Sequence, residues 1–322
     1  MLSQPLQIRF LEKRRYTIYL SIFLVLSTFL SVLLHGGLNY GIDFRGGTNV
    51  QIRFDSDPDL NQLRELFANQ GYDSIMLQTF GAKEDREILL GLPIDSSLGT
   101  GESLTTNLQQ ILQNANTKPE IRRVETIGPK VGDELKEDAL LAVLIALGLV
   151  LIYISIRFQW RFGISAVVCL LHDVLAVVGV FSLFDKEFNL TIIAALLTVV
   201  GYSLNDTIVV ADRIRENFRK MRVGEPWDII NQSIHETITR TINTSGTTLV
   251  VLLALYFLGG EAINNFALAL IIGVVVGTYS SIYVSANMLM VMGVTREDLM
   301  VPAKEGTGEE EEEQPPEWLN RM

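Results

Sequence analysis

The chain has 322 residues, 48% of them hydrophobic and 20% charged, with a mean hydropathy of +0.29 and a formal net charge of −11. The stretches 16–42, 139–156, 241–260 and 262–295 carry no Asp, Glu, Lys or Arg, and 162–184 and 188–211 are broken only by Asp173 and Asp206. A helix needs about 20 mainly apolar residues to cross a bilayer's hydrocarbon core, so six such stretches exclude an ordinary soluble protein, and the acidic balance argues against nucleic acid as a partner.

Residues 1–15 form a basic N-terminal segment carrying Arg9, Lys13, Arg14 and Arg15, followed by a first apolar helix over 16–35. That helix has the length of a span and lacks an A-x-A-like site near its end, so it reads as a retained anchor rather than a cleaved leader. Residues 36–138 read as a small soluble domain. Thr48–Phe54 alternates and is β-rich, 58–70 is helical, 75–80 and 87–92 are strands, 104–112 is helical and 121–127 is a last strand. The order β-α-β-β-α-β is the ferredoxin-like pattern. With no histidine or cysteine, the segment offers no catalytic constellation. Two glycine-rich joints flank it, one built on Gly41, Asp43, Gly46 and Gly47 and the other on Gly128, Pro129 and Gly132. Both read as shaped turns; a phosphate-binding reading of Arg45-Gly46-Gly47 lacks the strand–loop–helix context it needs.

Five more helices are expected over 139–156, 162–184, 188–211, 240–259 and 265–292. Between the fourth and fifth, a 212–239 loop carries Trp227, Ile230, Ile234 and Ile238 at helical spacing, which predicts an amphipathic helix lying on the membrane surface. The acidic segment 296–322, with Glu309–Glu313, reads as a solvated tail. Basic residues of short loops set orientation. They gather in the N-terminal segment, at Arg157 and Arg161, and at Arg213, Arg215, Arg219, Lys220, Arg222 and Arg240, whereas the opposite loops 185–189 and 259–265 hold only Lys186. Both termini are therefore expected in the cytoplasm and 36–138 outside it. The fold class is a polytopic α-helical membrane protein of six spans with an α+β ferredoxin-like extracytoplasmic domain between the first two. The one cysteine, Cys169, excludes an intramolecular disulfide.

Charges at membrane depth cost a few kcal/mol each and mark functional candidates. Asp206 stands first, with Asn205 beside it and Thr198 and Tyr202 at i−8 and i−4, a stripe expected to face the bundle interior. Arg240, at the start of the antiparallel fifth helix, reaches a similar depth. A carboxylate held between desolvation and a cation can gain and lose a proton; a static packing pair is the alternative. Asp212 and Arg213 read as an interfacial charge pair. His172 and Asp173, midway along the third helix, read either as a proton relay or as a hydrogen-bonded lock between helices. Gly273, Gly277, Ser281 and Ser285 form a small-residue face for close packing.

These segments resemble the SecD/SecF family of bacterial protein-export membrane proteins, of the resistance-nodulation-division superfamily. Gly41–Thr48 resembles its G-[I/L]-D-F-x-G-G-T signature, VGYSLNDTIVVADRIRENFRK over 200–220 its fourth-helix signature, and RTINTSGTT over 240–248 the start of its fifth helix; Phe158–Arg161 and LHDV over 171–174 also fit. The resemblance spans roughly 10–300. It implies a non-enzymatic role in preprotein translocation across the plasma membrane, driven by the proton motive force, with protons as coupling ion and no cofactor. The implied partners are SecD, the SecYEG channel, an unfolded preprotein and, as a further candidate, YajC. By position it implies Asp206 and Arg240 as the intramembrane aspartate and arginine of the proton path; Asn205, Asp212, His172 and Asp173 join that path as candidates from their own placement in the sequence. Other readings are a small-molecule or lipid exporter of the superfamily, or a non-transporting assembly factor.

Overall fold

The structure is a computed structural model that describes residues 10–72, 75–80, 85–93, 102–113, 119–221 and 225–295. The acidic tail and residues 1–9 lie outside the described residues. Among the described residues six helices are long and apolar enough to span a membrane. They are α1 (Arg14–Leu34), α5 (Pro129–Arg157), α6 (Trp160–Leu183), α7 (Leu190–Lys220), α8 (Pro226–Leu258), and α9 (Glu261–Tyr279), which continues through a π-helical stretch (Ser280–Val284) into α10 (Ser285–Val291). About half of α6, α7 and α9–α10 is buried, whereas α1, α5 and α8 expose most of their surface. Much of that exposed surface is Leu, Ile, Val, Phe and Tyr, as a bilayer-facing ring requires, but the first half of α8 also exposes Arg240, Asn243 and Thr247.

Small residues bring the central helices together. A side chain on Gly273 would clash with Val199, and one on Gly277 would meet Ser203 at 3.1 Å. The expected small face of the sixth span is therefore a packing face, continued by Ser285, which hydrogen-bonds Ser165 of α6. α1 attaches to α6 through Thr28, which donates to the Leu175 carbonyl at 3.0 Å, and through Ser31 to Ser182 at 2.9 Å.

Between α1 and α5 lie a single helical turn, α2 (Ile42–Arg45), and then β1 (Gly47–Phe54), α3 (Leu60–Asn69), β2 (Met76–Phe80), β3 (Glu87–Pro93), α4 (Glu102–Gln113) and β4 (Pro119–Ile127). The sheet order is β2-β3-β1-β4, all antiparallel, the ferredoxin-like arrangement expected from the element order. Period-2 alternation puts Val50, Ile52 and Phe54 of β1 and Ile88, Leu90 and Leu92 of β3 on one face. There they bury Leu63 and Phe67 of α3 and Leu104, Leu108 and Leu112 of α4. Asp59 starts α3 by accepting from the Asn61 amide at 2.9 Å.

Two expectations are corrected. The amphipathic segment of the 212–239 loop is not a separate surface helix. α8 runs unbroken for 33 residues, about 50 Å, because nothing between Ile238 and Arg240 interrupts a helix. Its Ile229, Ile230 and Ile234 are buried against Leu11, Phe158, Ile214 and Phe218, so the apolar stripe meets protein rather than lipid. Nor does Thr198 share an inward stripe with Asp206. Eight residues at 100° each leave an 80° offset, and both Thr198 and Asn205 are exposed while Asp206 is buried.

Candidate functional site

The buried polar centre is built around Asp173, which has no exposed surface. Its Oδ1 lies 3.2 Å from His172 Nδ1, and its Oδ2 accepts from Ser203 of α7 at 2.6 Å and from Ser280 at 2.9 Å. Ser280 opens the π-helical stretch, a local loosening often found at functional positions. Three helices thus converge on one carboxylate. Among the described residues His172 Nε2 is buried without a hydrogen-bond partner, and its ring lies 6.0 Å from that of Tyr279. Sequence reasoning found His172 and Asp173 but missed Ser203 and Ser280. Serine is common in these helices, and only the three-dimensional crossing selects two of them.

Asp206 lies one turn farther along α7 and is 3% exposed. It faces Ser245 of α8 and stands within electrostatic reach of Arg240, but among the described residues no direct ion pair joins the two. Ser245 accepts from Thr278 of α9 at 2.7 Å, so Asp206 meets α8 and α9 together. Tyr202 reaches the same helix, donating to Thr248 at 3.2 Å. Arg240 lines a cleft of about 370 Å³ with Arg157, Asp212, Arg213, Glu216 and Glu236. The expected Asp212–Arg213 pair is replaced: Arg213 bonds Glu216 at 2.8 Å and Glu236 at 3.3 Å, and Asp212 is exposed. A cavity this wide and polar admits water, which brings solvent to Arg240.

The glycine joints form a seam rather than loose turns. Gly47 has φ +152°, and a side chain there would meet the Leu92 carbonyl. Gly46, at φ 78°, occupies the region that favours glycine. Gly132, in the first turn of α5, leaves room for the Phe44 carbonyl, which a Cβ would meet at 2.7 Å. Gly128 and Pro129 start α5 at its N-cap and N1 positions. Phe44 itself is 2% exposed and stacks on Phe188 of the α6–α7 loop, with ring centroids 6.4 Å apart and planes at 27°. The Gly41 amide donates to the Phe188 carbonyl at 2.9 Å. The Asp43 carboxylate accepts from the Leu190 amide at 3.1 Å and so caps the start of α7 beside Asn189. Sequence reasoning identified the glycines but not Phe44, Phe188 or Glu187 as their partners.

Glu187 lies in the same seam, lining a cleft of about 210 Å³ with Asn49, Gln78, Leu89 and Thr191. Burial, and then the negative charge of Asp43, push its carboxyl above the usual carboxylate range, against weaker opposing effects of Asn189 and Arg45. The docked seam therefore holds the proton more tightly than an open one. Its contribution is fully present below the ordinary Glu pKa and is lost as pH rises through the raised value. Amide-exchange protection at Gly41 and Leu190, corrected for intrinsic rates, should rise as the medium is acidified. In Glu187→Gln it should stay flat.

Residues 107–295 match the family described as protein export membrane protein SecD/SecF, C-terminal, and residues 31–58 match the SecD/SecF GG motif. The protein translocase subunit SecF of Vibrio alginolyticus is 45% identical over 310 residues, which cover 96% of this chain and 97% of that protein. The chain belongs to the SecF family. Within that family it is also 42% identical to the Pseudomonas aeruginosa subunit over 84% of this chain and 87% of the relative. A crystal structure of SecDF from Thermus thermophilus, a translocon-associated membrane protein, superposes with a TM-score of 0.74 at 38% identity. The match covers 88% of this chain and 38% of that one. SecDF in a super-membrane-facing form gives a TM-score of 0.66 at 39% identity. The SecD/SecF matches fall on the residues just described: the GG motif covers the Gly41–Gly47 side of the seam, and the C-terminal family covers its Gly132 and Phe188 side and α5 to α10 with both buried aspartates. Among the described residues no cluster of His, Cys, Asp or Glu could hold a metal ion.

Proposed function

We propose that this SecF-family chain is an auxiliary subunit of the bacterial Sec translocase. In this reading it works with SecD in the plasma membrane, both termini cytoplasmic, and uses the proton motive force to drive late steps of preprotein translocation beside SecYEG, with YajC as a further partner. The observation that carries the mechanism is the capping of α7 by Asp43. Asp206 lies 16 residues after Leu190 on that unbroken helix, about 24 Å along its axis. A change of charge at Asp206 that shifts α7 acts directly on the seam and, through Gly46 and Gly47, on β1. His172 and Asp173 sit at the same crossing, where they lock α6 to α7 in one state and release them in another.

The need for SecD is supported by polar residues left open at membrane depth. The exposed Thr198 and Thr247 hydroxyls bond back to carbonyls of their own helices, but the Asn205 and Asn243 amides are exposed along the sides of α7 and α8. Lipid does not solvate such groups, and a second membrane subunit does. The proton motive force supplies about 2.3 kcal/mol per charge per 100 mV, enough to bias a domain whose two positions differ by a few kcal/mol. The exporter reading has less support, because the apolar interior of the exported domain is filled by its own α3 and α4.

Cysteines introduced as Gln78→Cys and Thr191→Cys, on opposite walls of the outer cleft, test the lever; Cys169 is buried and does not interfere. Cross-linking through a short bismaleimide should change when the proton gradient is collapsed. Equal yields with and without a gradient overturn the proposal.

A further inference from the structure

The cytoplasmic rim carries arginines that its ion pairs leave uncompensated. Arg213 is committed to Glu216 and Glu236, and Lys220 to Glu216. Outside that network, Arg157 at the end of α5 and Arg215 on α7 converge on one ring. Their guanidinium carbons lie 5.5 and 5.7 Å from the centroid of Phe158, and Arg215 donates to the Arg157 carbonyl at 3.5 Å. The two charges are thus no more than about 11 Å apart, roughly one Debye length. Arg219 adds to the positive field at Arg215, and Asp212 is the carboxylate that opposes it. Arg157 and Arg215 thus set two cations against one acid, a balance that favours an anion between them.

The surroundings specify which anion. Just inside the bilayer from Arg157, α5 exposes Leu149, Ile152, Tyr153 and Ile156, one stripe of the helix at i, i+3, i+4 and i+7. Trp160, 59% exposed, stands beside Arg157 at the rim, where tryptophan marks the membrane interface. A guanidinium fork matches phosphate oxygens, and the cytoplasmic leaflet is the anionic one. We propose that this corner binds an anionic phospholipid, its phosphate on Arg157 and Arg215 and its acyl chains along the α5 stripe. The lipid then sits at the outer edge of the cleft that contains Arg240. The site rests on the orientation proposed above only for its choice of leaflet.

The test uses the full chain with Trp227→Phe and Trp318→Phe, so that Trp160 alone reports. It is reconstituted into phosphatidylcholine vesicles containing equal fractions of acyl-brominated phosphatidylglycerol or acyl-brominated phosphatidylcholine. Both leaflets then have one composition, and the reading does not depend on orientation or on export. Brominated phosphatidylglycerol should quench Trp160 more strongly. The preference should fall about fivefold for each arginine removed in R157Q and R215Q, and much of it should survive in R157K with R215K. An unchanged Trp160 emission maximum in unbrominated vesicles shows that a variant is folded. If the double glutamine variant fails that check, R215Q alone decides. Equal quenching by the two lipids overturns the proposal, as does a preference that persists without the arginines. Loss of the preference to inorganic phosphate at constant ionic strength assigns the cluster to a soluble anion and also overturns it.

Discussion

Asp206→Asn should reduce export to the level seen in cells lacking the chain, with the protein and SecD accumulating normally. The substitution keeps the size of the side chain and a hydrogen-bonding group toward Ser245, and removes only charge and titration. Without a proton to carry, the helix loses a bias of about 2.3 kcal/mol per 100 mV, roughly fifty-fold in the balance between two states. The fold should tolerate the change. Arg240 is exposed toward the polar cleft it lines, so its charge stays solvated when its distant counter-charge disappears. Pulse-labelled preprotein processing, with immunoblots of both subunits, reads the outcome. Normal export would put the assembly-factor reading first.

Much of this was legible in the sequence, for physical reasons that also mark the limit. The α+β domain follows from alternation in Thr48–Phe54, where one sheet face is buried under two helices and period 2 is enforced. The six spans follow from the absence of charge. Asp173 stood out because a charge in hydrocarbon is expensive, but Ser203 and Ser280 did not, since serine reveals nothing until helices cross. The apolar stripe of Trp227–Ile238 predicts a buried face without saying whether lipid or protein buries it. The glycines of Gly41–Gly47 were visible as punctuation. What they make room for lies far away in the chain: Phe188 beyond two spans, and the carbonyl of Phe44 behind Gly132.

That seam gives the second large effect. Phe44 is buried against Phe188 and edge-on to Tyr40, with centroids 5.8 Å apart at 81°. It belongs to the apolar cluster of α6, α7 and α9, not to the interior of the α+β domain. Truncation to alanine costs about 3–5 kcal/mol at a site of this size, and it falls on the connection between two bodies whose own cores are intact. Phe44→Ala should therefore leave the sheet and the helix bundle folded, while protease cuts within 41–48 far faster than in the parent and export falls with Asp206 still in place. Phe44→Leu, which refills most of the volume, should recover both protection and export. If Phe44→Ala remains protected but export is lost, the ring acts on substrate rather than on the seam. If neither changes, α7 does not work through Asp43 and its neighbours, and the force from Asp206 must leave the membrane along the ten-residue outer part of α5 that Gly132 brings against the same turn.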